Sequence, residues 1–456
     1  MAEKMLNRNY SDMTRGPILT ALVRFAVPMM LGGLFQNLYG LADMTIAGYT
    51  LGDNAIAAIS ATAAILSTMN FSCIGFNSGS SIMVANAFGE GDMEKARKNL
   101  IAMNVLSVLV SLLFAGLFLL FLNPLMRFVK TPGDLFDDAR IYAVIIIVGL
   151  LFNMFYNLYA SVFRAFGNSK LPLYFLIFTS VLNIILDFVF IAWFKWGVAG
   201  AALATIMSQL ISAVLSTVSF FRHFPEMRFR LSEAKDVIYI LPEMFTVGIS
   251  VAVTNSIFAI GAIAISGAIN ALGSETIIAH AAANKVQTFA VIPAMNIAGA
   301  CTTFTAQNYG ARNYDRIKKG LWIGMLLSLG FNVITYAVIY FFGGGITRLI
   351  TNTASENVVY MSSAMMRVQA LFTWAMCAVT AFRMSIQSLK RKVIPMFGTA
   401  IELVVRLVFA YVITPRVGFI AIPWAEVASW LTSGTAMVIS FFAIVNGLKA
   451  GKYKHI

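Results

Sequence analysis

Residues 181–194 read VLNIILDFVFIAWF, an apolar run interrupted by two groups able to do chemistry. Asp187 supplies a carboxylate, and Asn183 lies four residues earlier, one turn away on the same face of a helix. A carboxylate in hydrocarbon costs at least ~2.5 kcal/mol on insertion scales, so an acid inside an apolar run is a functional suspect by default. Asp43 lies in the first apolar run, and Thr205 lies in the sixth. In the first-half runs the only cation well inside the boundaries is Arg24, near the opposite end from the two acids. Two acids in a low dielectric repel one another and lose hydration, and both effects favour taking up a cation. Such a pair can accept a proton, or hold a small metal cation with the neutral oxygens of Asn183 and Thr205.

The elements that must position these groups are set by composition. Of 456 residues, 59% are hydrophobic and 12% charged. That is about half the charged share of a soluble globular domain. Apolar runs of twenty or more residues recur, each long enough to cross a ~30 Å hydrocarbon core as a helix. They lack the alternation of barrel strands. The chain therefore reads as an all-α polytopic membrane protein. Helices are expected near 18–47, 54–88, 99–122, 138–163, 172–194 and 197–221, and again near 239–271, 275–309, 314–342, 356–388, 393–414 and 418–446. Several exceed thirty residues, about 45 Å, and must tilt, bend or project from the bilayer. No signal peptide is evident after the polar start MAEKMLNRNYSDMTRGP.

The net charge of +13 is explained by orientation, not by nucleic acid. Lys95, Arg97 and Lys98, Arg312, Arg316, Lys318 and Lys319, and Lys390, Arg391 and Lys392 fall in alternate links, together with the basic termini and the 222–236 linker. The opposite links hold only Arg127, Lys130, Lys195, Arg348 and Arg416. This bias puts both termini in the cytoplasm of a cell (inner) membrane. Asp43 then lies about five residues, roughly 7 Å, from the outer end of its helix. Asp187 and Thr205 each lie about eight residues, roughly 12 Å, inside theirs. Four polar groups from three helices share the outer half of the membrane.

The two halves repeat. ANAFGEGDMEKARKNL (85–100) answers AQNYGARNYDRIKKGL (306–321), and LGDNAIAA (51–58) answers LGSETIIA (272–279) at the same offset of about 221 residues. WGVAGAALATIMSQ (196–209) likewise answers VGFIAIPWAEVASW (417–430). Six spans per half is an even number, so the halves share orientation, as in transporters built from parallel repeats. The expected division is an N-lobe (1–222), a linker (223–238) and a C-lobe (239–456).

RFAVPMMLGGLFQNLYGLADMTIAGYTLG (24–52), the FGEGD and YGARN helix ends, FRAFGNSK, and NIILDFVFI with WGVAGAALATIMSQ together resemble the multidrug and toxic compound extrusion (MATE) family, in its DinF-like branch. The resemblance implies two six-helix lobes forming a V-shaped cavity, working as a monomer by alternating access. It implies export of amphipathic, cationic small organic substrates in exchange for protons or sodium, with no cofactor. Asp43, Asn183, Asp187 and Thr205 match the branch's N-lobe coupling site, which would be the metal site if sodium is the ion. Gln36, Tyr142 and Asn157 match polar positions around that lobe's cavity. The acids that the NorM-type branch uses on helices 7 and 10 are not reproduced: Glu243 starts helix 7, and helix 10 carries Arg367 and Arg383.

In the second half, Arg406 answers Asn183 and Glu426 answers Thr205, with Glu402 a turn before Arg406. A structural network with Arg406 paired to Glu426 is expected there. Lys285 and Arg367 have no assigned partner. Cys73, Cys301 and Cys377 read as buried free thiols. GFNSGSS (75–81) reads as a close helix contact, and FGGGIT (342–347) as an outer loop. The chain has no Walker motif, HExxH or nucleophile elbow, so neither an enzyme nor an ATP-driven pump is indicated. The alternative is a flippase or exporter of a lipid-linked precursor on the same plan, whose cavity would carry several cations.

Overall fold

Every regular element among the described residues is a helix, as the apolar runs require. The computed structural model describes residues 12–129, 131–229, 233–351 and 355–453. The first half holds α1 (Ile18–Leu51), α2 (Asp53–Glu90), α3 (Met93–Phe128), α4 (Phe136–Val148), α5 (Leu150–Ala165), α6 (Lys170–Asp187) and α7 (Gly197–His223). The second holds α8 (Ala234–Asn270), α9 (Ser274–Ala290), α10 (Ile292–Gly310), α11 (Tyr314–Thr351), α12 (Glu356–Ser388), α13 (Val393–Val408) and α14 (Ala421–Lys449). Two spans expected as single helices are bent pairs, with 46° between α4 and α5 and 41° between α9 and α10. With each pair taken as one span, and α13 counted apart from α14, the described helices group as six and six.

The repeated motifs have a local structural reason. Gly91 ends α2 in the left-handed region at φ 79°, and the Asp92 side chain caps α3 by accepting from the Lys95 amide at 2.9 Å. In the second copy Arg312 takes the left-handed position at φ 57°. A π turn, Phe188–Trp193, directly follows Asp187, and another, Phe409–Ile413, follows α13 about 221 residues later. π turns inside α-helices frequently mark functional sites.

The chain forms two compact units. Unit 1 contains Leu31–Ala252, and unit 2 contains Met13–Met30 with Val253–Ile456. They depart from the expected lobe boundaries at two matching segments. The early part of α1 packs with the second half, and the early part of α8 packs with the first. In unit 2, Leu22, Phe25 and Ala26 join the core around Ile297, Cys301 and Phe304. Arg316 fixes the segment before α1 by donating to the carbonyls of Met13 (3.1 Å), Gly16 (2.8 Å) and Arg15 (2.8 Å). Gln307 and Asn308 hold both sides of the Met13 backbone at 3.0 Å. In unit 1, Arg97 forks onto Glu233 and donates to the Glu226 carbonyl, while Lys98 pairs with Asp236 at 2.8 Å. These contacts tie the linker to α3.

Small residues set the close helix contacts. A Cβ on Gly79 would meet the backbone of Val247 and Gly248 on α8 at 2.9 Å, so GFNSGSS is a contact strip as expected. FGGGIT is not a loop, because α11 runs through it to Thr351. Gly343 and Gly344 face Met366 and Val359 of α12, and Thr347 bonds to Ser362 at 3.1 Å. Glycine serves there as a helix–helix contact, where in water it would more often mark a turn. The three cysteines are free and buried. Long faces of α3 (Leu112, Leu113, Leu120) and α11 (Leu326, Val333, Phe341) expose large apolar side chains, as lipid-facing surfaces do.

Candidate functional site

The first-half site is built on three helices of unit 1. Asn183 and Asp187, one turn apart on α6, are both fully buried. The Asn183 amide satisfies all its neighbours when its nitrogen faces the acid. It then donates to Tyr39 Oη on α1 at 2.5 Å and to Asp187 Oδ2 at 3.3 Å, and its oxygen accepts from the Thr205 amide on α7 at 3.2 Å. Thr205 Oγ1 donates to the Ala201 carbonyl at 3.1 Å. Asn183 is thus the hub that joins the acid to α1 and α7.

The backbone places these helices close together. A Cβ on Gly149, at the α4–α5 bend, would fall 2.3 Å from Ile206 Cγ2, so glycine lets the bent span approach α7 beside Thr205. Gly200 lies against the Phe190 carbonyl in the π turn, bringing the start of α7 onto the segment after Asp187.

Asn183, Asp187 and Thr205 are therefore brought together. Asp43 falls in α1, one turn beyond Tyr39, and its side chain lies outside the described residues. Gln36 is exposed on α1, Tyr142 is half-buried on α4, and Asn157 donates to Asn153 on its own helix. Tyr39 was missed in the sequence. Its signal was present in QNLYGLAD, where it stands four residues before Asp43 on the same helical face. Among the described residues no cluster of three or more His, Cys, Asp and Glu could hold a metal ion. Among the described residues, the groups here are one acid with amide and hydroxyl oxygens, a donor set suited to a hard monovalent ion or a proton.

The MatE family model matches residues 28–189 and 250–412, one segment in each half. The chain belongs to the MatE family. It is 31% identical over 310 residues to "Probable multidrug resistance protein YpnP" of Bacillus subtilis, covering 67% of this chain and 68% of that one. It is 25% identical over 418 residues to "Probable multidrug resistance protein NorM" of Thermotoga maritima, covering 89% and 88%. A solved structure titled "Outward-facing conformation of a multidrug resistance MATE family transporter of the MOP superfamily" superposes with a TM-score of 0.86 at 20% identity, covering 97% and 99%. That likeness supports the fold. MatE proteins are transporters, so this one is not an enzyme.

The second half of this MatE protein holds its acids with partners that the sequence did not name. Glu402 pairs with Arg383 of α12 at 2.8 Å, and Glu426 accepts from Gln369 Nε2 at 2.8 Å. Both acids have a partner on α12, and the sequence did not name either one. Arg406 is buried with its stem against Gly261 of α8, where the missing side chain leaves it room. The depth of these residues followed from helix counting, but their direction around the helix is set by packing. Arg367 donates to the Tyr340 carbonyl at 3.2 Å and lies over that ring at 4.8 Å, and Lys285 is exposed.

Proposed function

We propose that this protein exports amphipathic, cationic organic compounds in exchange for protons or sodium ions entering the cell, by alternating access. Asp187 is the coupling acid, supported by Asn183, Thr205 and Asp43. The observation that carries this reading is a fully buried carboxylate whose hydrogen-bonded neighbour, Asn183, also bonds to α1 and α7. Filling the acid with a proton or cation changes the charge at the point where three helices meet, and this biases their packing. By linkage, a substrate that favours the other packing lowers cation affinity by the same factor. The relatives named as multidrug resistance proteins support the substrate class. The basic links support a cell-membrane orientation with both termini cytoplasmic, and the protein works as a monomer.

The test is transport by purified protein in proteoliposomes, with a pH gradient and a sodium gradient imposed separately. Asp187→Asn keeps the hydrogen-bonding shape and fixes the neutral state. It should insert normally, lose gradient-driven export of an ethidium-like dye, and lose the pH or sodium dependence of dye binding. Export at the parent rate would end the coupling role. Movement of a fluorescent lipid-linked sugar in place of the dye would transfer the function to the flippase reading.

A further inference from the structure

Helices α6 and α7 lie side by side in unit 1, joined by the Asn183–Thr205 contact and by a hydrogen bond between the Thr179 and Ser212 hydroxyls. Beyond that bond, toward the start of α6 and the end of α7, the pair encloses a groove of about 460 Å³. That is the size of a small-molecule site, about 300–1,000 Å³. Tyr174 and Phe178 line it from α6, and Leu215, Val218 and Arg222 line it from α7. The spacings of four residues, and of three and then four, place each set on one helical face. The four apolar side chains are all exposed. From Phe178 to the start of α6 at Lys170 is eight residues, roughly 12 Å.

The mouth of the groove is basic. Arg222 is exposed there, and Lys170, also exposed, stands one turn before Tyr174 on the same face of α6. His223 lies beside them with Nδ1 donating to the Ser219 carbonyl at 2.7 Å. Acids elsewhere in unit 1 are engaged with other cations, Glu233 with Arg97, and Glu94 and Asp236 with Lys98. Glu226 lies past the end of α7. Among the described residues, neither Arg222 nor Lys170 takes part in an ion pair.

In a bilayer the apolar walls meet acyl chains that are as apolar as they are, so the walls admit a chain without choosing one lipid over another. The choice falls to the mouth. A guanidinium grips a phosphate through its planar fork, and an ammonium adds a point charge. A zwitterionic headgroup would bring its own ammonium against these two cations, whereas an anionic one would not. We propose that this groove binds one anionic phospholipid, with an acyl chain between α6 and α7 and the phosphate on Arg222 and Lys170. The bound lipid braces the helix pair that carries Asn183 and Thr205. The proposal stands on the membrane fold and is independent of the efflux reading.

The test uses the full-length protein in phosphatidylcholine nanodiscs holding a small fraction of phosphatidylglycerol with a diazirine on its acyl chain. After illumination, crosslinked peptides should map to residues 174–178 and 215–222. Unlabelled phosphatidylglycerol should displace the probe at a lower mole fraction than added phosphatidylethanolamine, and inorganic phosphate should not displace it. Arg222→Gln should lower the preference for the anionic lipid about fivefold, and adding Lys170→Gln should lower it by a similar factor again. Arg127→Gln, an exposed cation at the other end of unit 1, should leave it unchanged. Val218→Trp, which fills the groove and keeps both cations, should abolish crosslinking within it. Equal displacement by the two lipids overturns the proposal, as do crosslinks spread evenly over the lipid-facing helices, or an unchanged preference in Arg222→Gln. Displacement by inorganic phosphate would make the mouth a site for a free anion and overturn the lipid assignment.

Discussion

Replacing Arg383 with leucine removes the partner of a carboxylate that is almost entirely buried. The Arg383–Glu402 pair has an N–O distance of 2.8 Å, with side chains 12% and 3% exposed. At an effective dielectric of ~20, two unit charges at that distance attract by about 6 kcal/mol, an upper bound before desolvation is set against it. Losing Arg383 leaves the buried Glu402 carboxylate without that charge, and Thr399 Oγ1 without the contact Arg383 makes at 3.4 Å. The expected loss is about 3–5 kcal/mol. Glu402→Leu should cost a similar amount, and the double variant should be no less stable than either single, which corresponds to a coupling of at least about 3–5 kcal/mol. The assay is reversible unfolding in mixed micelles, run as two double-mutant cycles. One crosses Glu402→Leu with Arg383→Leu, and the other crosses it with Arg406→Met. The Arg406 cycle should give the smaller coupling by at least ~1 kcal/mol. The assignment fails if Arg383→Leu is as stable as the parent, or if Arg406 couples to Glu402 more strongly than Arg383 does.

Three further outcomes follow from particular contacts. Tyr39→Phe removes a partner from buried Asn183 and should cost about 1–3 kcal/mol, with a matching fall in gradient-driven dye export; unchanged stability and export would remove Tyr39 from the site. Gly149→Ala places a methyl on Ile206 and should destabilise by about 1–3 kcal/mol, with recovery when Ile206→Ala is added; a silent Gly149→Ala would mean that the bend does not need the close approach. A cysteine at the fully buried Met13 should resist maleimide in the parent background and react once Arg316→Met frees the three carbonyls; equal labelling in both would show that Arg316 does not hold this segment.

The sequence exposes the spans because hydropathy is a property of each run by itself. The two-copy plan is legible for a similar reason, since FGEGD and YGARN both form a helix-ending turn with a left-handed residue. The hub at Asn183 is half legible: helix counting puts Asn183, Asp187 and Thr205 at one depth, and the structure joins them. Whatever depends on rotation about a helix axis is lost. Depth counting puts Arg406 and Glu426 level, but it does not show that α12 brings Arg383 and Gln369 to the two acids. FGGGIT was misread because glycine has two uses, turning a chain in water and admitting a neighbour in a tight helix pair. The bend at Gly149 carried no proline to announce it. Asp43 remains part of the proposed site on the strength of its position.

The crossed membership of α1 and α8 governs the order in which the protein can be built. Residues 13–30 leave the ribosome long before the rest of unit 2, yet Met13 bonds to Gln307 and Asn308, 294 and 295 residues further along. Ribosomes add about 5–20 residues per second, so that segment waits on the order of tens of seconds for its partners. Unit 1 has the opposite schedule, since it closes only when residues up to 252 have emerged, beyond the boundary of its own repeat. Neither half is a complete folding unit when synthesised alone. Separately expressed halves cut at the linker would each lack a piece of core that the other carries, and could mature only by exchanging those pieces in the membrane.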